Sequence, residues 1–338
     1  MTTPTTLPST PLGPDGIRVG IQGLGCMGMS EFYGPTDRAE ARATLDRALE
    51  LGITLFDTAD IYGAGDNEEF LRDFVRTNRD RVVLATKFAI VRKPDDPHYR
   101  GIDNSPEYIR TAVDASLRRL GIDTIDLYYM HRRDPEVPIE ETVGVMAELV
   151  QQGKVRALGL SEVTGAELRA AHAVHPIAAV QSEWSLFSRD VERTAAPAAA
   201  ELGVTFVPYS PLGRGFLTGS FAQADQLNDT DFRRHMPRFN GTNAAHNAAL
   251  LAPVYAIAEE RSLTPAQVAL AWVHSRAQEH GLSVVPIPGT RRRTRLEENV
   301  AAATVVLTAA ELARLEPIAE QVAGPRYADM SFTSAGRE

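Results

Sequence analysis

A single closed (β/α)8 barrel is the fold that this sequence predicts, and three observations predict it. Short runs rich in Val, Ile and Leu recur along the chain, longer helix-like segments separate them, and polar residues gather just after the runs. The runs lie near Ile53–Phe56, Val82–Ala85, Ile125–Met130, Val155–Leu160, Ile177–Val180, Val204–Val207 and Ser283–Ile287, with an earlier one before Gly25. They do not alternate apolar with polar residues, which is how strands buried on both faces read. Eight such strands with helices between them point to a parallel sheet, and an open doubly wound sheet is the alternative.

The helical segments carry their own start and stop signals. Asp37 with Glu40, Thr164 with Glu167, Thr264 with Gln267 and Thr308 with Glu311 have the spacing of a capping box. Pro106 and Pro265 each follow a capping residue, at the first helical position, where the missing N–H costs nothing. From Ser105 onward, Ile109, Val113, Leu117 and Leu120 share one helical face, and Gly121 ends the helix. Gly52 ends the helix before it. The stretch from Gly213 to Asn247 breaks the rhythm: it is long and polar, and reads as a binding loop after strand seven.

The 338 residues suit one barrel with insertions. The expected division is a disordered tail over 1–15, a barrel over 16–323 and a C-terminal tail over 324–338. A formal charge of −9, from 44 acidic and 35 basic residues, argues against an extended nucleic-acid surface. One cysteine, Cys26, allows no intrachain disulfide and fits a reducing compartment. The opening MTTPTTLPST lacks a basic start and an apolar run, and no apolar stretch of about 18 residues occurs. The expectation is a cytoplasmic protein without membrane contact. The sequence does not reveal the oligomeric state.

In a parallel barrel, the polar residues that follow the strands share one rim. Here they are Asp57, Lys87, His131, Ser161, Gln181, Tyr209 and Ser210. Taken singly, each has an ordinary structural reading as a turn residue, a solvated charge, a satisfied core histidine or packing. Their joint placement argues for a site. The glycines of Gly23-Leu-Gly-Cys-Met-Gly28 match a dinucleotide fingerprint, but the segment runs into Met29-Ser-Glu-Phe-Tyr-Gly-Pro35 rather than opening a helix. They are read as strand and loop positions near the site. Met27, Met29, Phe32 and Tyr33 are candidates for a substrate pocket or for packing. So are Phe88, Trp184, Phe216 and Phe239, which lean the expected substrate toward aromatic aldehydes.

Seven ordered segments then carry a resemblance: F56-DTADIYG-63, A85-TKF-88, D126-LYYMHR-132, G159-LSEV-163, Q181-SEWSLF-187, Y209-SPLGRGFLTG-219 and I287-PGTRRRTRLEEN-299. Together they resemble the aldo-keto reductases, in particular the longer bacterial, plant and fungal members. The resemblance implies a barrel that binds NADPH, uses no metal and reduces aldehydes or ketones. It also implies a catalytic tetrad of Asp57, Tyr62, Lys87 and His131. Hydride addition to a carbonyl carbon leaves negative charge on oxygen, which a positioned donor must protonate. Tyr62 is the implied donor, Lys87 the ammonium that lowers its pKa, Asp57 the partner of Lys87, and His131 the group that orients the carbonyl.

The resemblance further places Ser161 and Gln181 on the nicotinamide carboxamide and stacks Trp184 on its ring. Ser210, Leu212, Gly213 and Arg214 would line the pyrophosphate. Thr290, Arg291 and Arg295 would sit near the 2′-phosphate, with Glu298 and Asn299 on the adenine. A basic run after strand eight suits phosphate, which favours NADPH over NADH. Two positions depart from the family: Glu162 stands where many members have Asn, and Gly289 where many have Lys. The alternative to an enzyme is a cofactor-holding regulatory barrel like the subunits attached to potassium channels.

Overall fold

The computed structural model describes residues 6–14, 16–93 and 95–337. The chain opens with a hairpin, β1 (Ser9–Pro11) against β2 (Arg18–Gly20). Then β3 (Leu24–Gly25), β4 (Leu55–Asp57), β5 (Val83–Phe88), β8 (Ile125–Met130), β9 (Val155–Ser161), β10 (Ile177–Glu183) and β11 (Thr205–Tyr209) form one parallel sheet in that spatial order. Numbers β6 (Ile90–Lys93) and β7 (Asp96–Ile102) belong to a separate antiparallel hairpin on the loop after β5. Residues 283–287 supply the eighth side of the ring. Val285 N–H donates to Phe206 O at 2.9 Å and Ile287 N–H to Pro208 O at 3.0 Å, while Gly23 N–H donates to Pro286 O at 3.0 Å. With both edges satisfied, the sheet closes into the (β/α)8 barrel, as one domain.

Helices α1 (Arg38–Glu50), α2 (Asp66–Thr77), α3 (Pro106–Leu120), α4 (Ile139–Gln151), α5 (Gly165–Val174) and α6 (Ala195–Leu202) follow successive strands. Then come α7 (Gly241–Ala249), α8 (Ala252–Glu260), α9 (Pro265–His280), α10 (Arg293–Ala301), α11 (Ala309–Leu315) and α12 (Ile318–Gln321). The expected capping boxes form at Thr164, Thr264 and Thr308. Asp37 caps α1, but Glu40 pairs with Arg293 of α10 instead of closing a box.

Where they are described, both end segments contact the barrel. Residues 6–14 are bonded into the fold rather than loose. Leu12, Ile17 and Val19 are buried among Leu55, Val83, Leu127 and Val285, so the hairpin plugs the lumen from below. Gly13 N–H donates to Thr205 Oγ1 at 2.9 Å. Residues 1–5 and 15 lie outside the described residues. At the other end, Arg326, Thr333 and Ser334 are buried, and residues 324–337 fold back over the mouth of the barrel. Apolar content alone does not distinguish such segments from tails, because their burial depends on surfaces that distant strands create. Among the described residues, no helix is long and apolar enough to cross a membrane.

Candidate active site

Strand parity assembles the site. Successive strand residues point alternately into the lumen and out toward the helices. Leu55, Val83, Ala85, Leu127, Tyr129, Ala157, Ala179, Val207 and Val285 pack together inside the ring. Continuing the same parity toward the C-terminal ends gives Asp57, Lys87, His131, Ser161, Gln181, Glu183 and Tyr209. Phe56, Leu84, Phe88, Tyr128, Leu158, Val180 and Phe206 take the opposite parity and belong to the outer core. Gly159 keeps the lumen open for Tyr129: a Cβ there would lie 2.4 Å from the tyrosine ring.

Asp57, Tyr62, Lys87 and His131 lie together at the C-terminal ends of the strands. Buried Lys87 Nζ forms a close ion pair with Asp57 Oδ1 and donates to Thr58 O at 2.8 Å. Asp57 Oδ2 accepts from Gln181 Nε2 at 2.8 Å. Both carboxylate oxygens are therefore used, which fixes the ammonium in place. Tyr62 arrives on a short turn after β4, where Ala64 has φ 53° and Gly63 N–H donates to Glu31 Oε2 at 2.7 Å. Its ring centroid lies 5.3 Å from Lys87 Nζ and 5.9 Å from the His131 ring, edge to face.

The electrostatics of Tyr62 are dominated by its burial. Burial raises its pKa well above the usual phenol value, and the Asp57 carboxylate adds to the rise. Lys87 spends its donors on Asp57 and Thr58 O, and burial lowers its own pKa against the pull of Asp57. Burial, then the Arg132 and Lys87 cations, hold His131 well below the ordinary histidine value, so the imidazole is neutral. Its Nδ1 is buried and has no hydrogen-bond partner among the described residues.

A cleft of about 660 Å³ runs from Tyr62, His131 and Arg132 to Glu298 and Asn299. At one end Met27, Phe32, Ile61, Ile90, Tyr327 and Phe332 line it; Gln181, Tyr209, Ser210, Leu212, Arg214, Thr290, Arg291 and Arg295 line the rest. Met29 lies in the core instead. The long segment after β11 straps over this cleft. Phe232 packs edge-on against Phe32 and Tyr33, and Arg233 lies 4.8 Å from the Tyr33 ring centroid.

Several residues stand elsewhere than expected. Trp184 is fully buried in the outer core against Phe206 and His280, and its Nε1 donates to Glu192 at 3.0 Å. It has the wrong parity to face the lumen. Tyr209 is the strand-end aromatic that lines the cleft. Phe88, Phe216 and Phe239 are likewise core residues. Ser161 lies beneath the cleft wall, and its Oγ accepts from Arg132 Nη1 at 3.2 Å. Gly213 is buried and shapes the turn behind Ser210, with φ 54°.

Arg291 is not a free phosphate ligand. Its Nη1 donates to Gly28 O, Gly34 O and Thr36 Oγ1, and its Nη2 to Tyr33 O. It clamps the loop after β3. Arg295 pairs with Glu298 at 2.8 Å, and Arg214 pairs with Glu183 at 2.7 Å.

The departure at Glu162 has a structural explanation. Its carboxylate accepts from Arg326 Nη1 at 3.0 Å and Nη2 at 3.2 Å, from Tyr209 Oη at 2.8 Å and from Ser334 N–H at 3.1 Å. Burial alone would raise its pKa, but Arg326 and Arg132 hold it down at about 2. Glu162 thus ties the C-terminal segment to β9 and orients Tyr209. The sequence reading missed Arg132, Glu183, Arg326, Tyr327 and Phe332 as site residues. Strand parity marks Glu183, and the place beside His131 marks Arg132. No local pattern marks the other three.

Backbone forms much of the wall of this cleft. Ser210, Gly213, Arg214 and Gly215 all take positive φ, turning backbone along one wall. Gly25 and Gly289 approach so closely that a Cβ on Gly289 would lie 3.2 Å from Gly25 O.

Known structures share this architecture. The glycerol dehydrogenase AKR11B4 from Gluconobacter oxydans superposes with a TM-score of 0.82 at 28% identity, covering 98% of this chain and 100% of its own. The aldo-keto reductase AKR11C1 from Bacillus halodurans, in its holo form, gives 0.73 at 26% identity, covering 96% and 99%. The thermostable aldo-keto reductase Tm1743, solved with the inhibitor epalrestat, gives 0.72 at 27% identity, covering 92% and 100%. Residues 23–320 match the aldo/keto reductase family. With that match spanning the barrel and the tetrad converging at its mouth, the chain belongs to the aldo/keto reductase family.

Proposed function

We propose that this protein reduces aldehydes or ketones to alcohols with NADPH, and that Tyr62 delivers the proton. The observation that carries the reading is the meeting of a protonated phenol, a neutral imidazole and a buried Lys87–Asp57 pair at one end of a long cleft. When bound, the reduced nicotinamide supplies a hydride. Tyr62 Oη donates its proton to the carbonyl oxygen as charge develops there. Neutral His131 would donate a hydrogen bond from its ring N–H to the same oxygen and fix the face presented to attack. Lys87, held by Asp57, stabilises the phenolate that Tyr62 leaves behind.

For cofactor positioning, Gln181 would face the carboxamide, with Ser161 behind the wall holding Arg132, and Tyr209 would replace Trp184 as the ring against the nicotinamide. Ser210, Leu212, Gly213 and Arg214 would follow the pyrophosphate. Thr290 and Arg295 remain the groups for a 2′-phosphate, joined by exposed Arg292, and Glu298 and Asn299 close on the adenine. This set favours NADPH over NADH because guanidinium pairs well with a phosphate ester.

The same residues run backward would oxidise an alcohol, as the name of the Gluconobacter neighbour indicates for that protein. A raised Tyr62 pKa keeps the phenol protonated and favours reduction at neutral pH. Tyr62→Phe tests the reading directly. The variant is expected to lose about 100-fold or more in kcat for aldehyde reduction, while its Kd for NADPH, read by calorimetry, stays within about threefold. Near-normal turnover would refute the assignment.

A further inference from the structure

Among the described residues, the arginines buried at the barrel mouth are Arg132, Arg214 and Arg326, and two of the three are paired. Arg214 has Glu183, Arg326 has Glu162, and Arg238 has Glu183 at 3.6 Å. Arg132 is only 8% exposed, yet no carboxylate lies within ion-pairing distance of it among the described residues. Its Nη1 donates to His131 O at 2.6 Å and to Ser161 Oγ at 3.2 Å. Its Nε and Nη2 donate to no protein atom among the described residues, and the side chain lines the cleft.

The Glu162 carboxylate acts on Arg132 through space, but its oxygens are already occupied. Arg326, Tyr209 and two backbone N–H groups take up its oxygens. Glu162, Glu183 and Asp190 thus serve Arg214, Arg238 and Arg326, and Arg132 has no carboxylate of its own among the described residues. A guanidinium does not lose its proton under these conditions, so the charge persists. Burying it without a partner is unfavourable, and an anion in the cleft would offset that cost.

Location names the anion. Arg132 follows His131 directly, and its Cζ lies 6.0 Å from the Tyr209 ring centroid. The guanidinium thus lies beside Tyr209 and Ser161 in the wall of the cleft that also holds Tyr62 and His131. A planar fork at this place fits a planar carboxylate. We propose that Arg132 binds the carboxylate of the substrate, so that the preferred substrates are oxo acids rather than neutral aldehydes. This rests on the reductase reading above. The reaction stays balanced: hydride from the reduced cofactor joins the carbonyl carbon, Tyr62 protonates the oxygen, and the product is a hydroxy acid whose carboxylate is unchanged. Arg132 neither gains nor loses a proton.

The test compares each acid with its methyl ester, using 4-oxobutanoate and phenylglyoxylate with NADPH. In the wild type, kcat/KM for at least one acid should exceed that of its ester about tenfold or more. Arg132→Met should bring that ratio to near one, mainly through KM, and Arg132→Lys should restore part of it. Thermal melting establishes that each variant is folded. Butanoate against butanamide, titrated calorimetrically into the NADP⁺-loaded protein, gives a readout that needs no turnover: the wild type should prefer butanoate, and Arg132→Met should not. Equal ratios in wild type and Arg132→Met, with esters turned over normally, would overturn this inference and leave the reductase reading intact. If neither acids nor esters react, the reductase reading fails, and butanoate binding alone decides whether Arg132 is an anion site.

Discussion

The two halves of the barrel mouth hold their charges in different ways. On the side of β4, β5 and β8, one ion pair, Lys87 with Asp57, is fixed by Thr58 O and by Gln181 across the ring. The parts come almost entirely from strand ends. On the side of β9, β10 and β11, Glu162, Glu183 and Asp190 share Arg214, Arg238 and Arg326, and Arg326 arrives from the end of the chain. The first half carries the proposed chemistry on local scaffolding. The second shapes the pocket through a contact spanning 164 positions of sequence. The proposed chemistry thus sits on strand ends, and part of the pocket wall on a segment that must first dock.

The largest effect should come from breaking the second half. Arg326→Ala leaves Glu162 and Glu183 buried with fewer partners, and should cost about 3–5 kcal/mol in denaturant unfolding. Pairing it with Glu162→Gln should recover part of the loss. A simple sum of the two single effects would mean that the halves are not built differently after all.

A smaller effect separates the halves by pH. Neutral His131 and the raised Tyr62 pKa leave the reductive rate nearly flat from about pH 6 to 9. Oxidation, which needs the phenolate, should rise with pH. Glu162 behaves in the opposite range. Its folded pKa of about 2 lies below its unfolded value, so the stability it contributes is complete above the unfolded pKa and disappears as pH falls toward 2. Denaturant titrations of wild type and Glu162→Gln should therefore converge in acid and diverge near neutrality. A reductive rate that falls steeply between about pH 7 and 8 would contradict the protonated phenol.

The smallest effect concerns Trp184. In Trp184→Phe, stability should fall by about 1–3 kcal/mol, since the ring is core. KM for NADPH should change less than about twofold. A tenfold rise would return Trp184 to the cofactor.

Much of this was legible in the sequence because it is periodic or local. Seven strand runs fell on β4, β5, β8, β9, β10, β11 and the closing segment at 283–287, and the tetrad residues followed their strands. Trp184 was misplaced for a reason the sequence also contained: Gln181 and Glu183 face the lumen, so Trp184 cannot. The β6–β7 hairpin was not anticipated, and it sets Ile90 and Arg100 in the cleft wall.

By itself, the sequence determined the alternation of strand and helix, the caps, and the set of polar residues at strand ends, because each is fixed by neighbours within a few positions. Only the tertiary structure decided which carboxylate meets which guanidinium. Ion pairs across a closed ring depend on the distances between chain segments, which no local pattern encodes. That is why Glu162 turned out to hold the C-terminal segment, Arg291 to clamp a loop, and Arg132 to keep its charge toward the cleft.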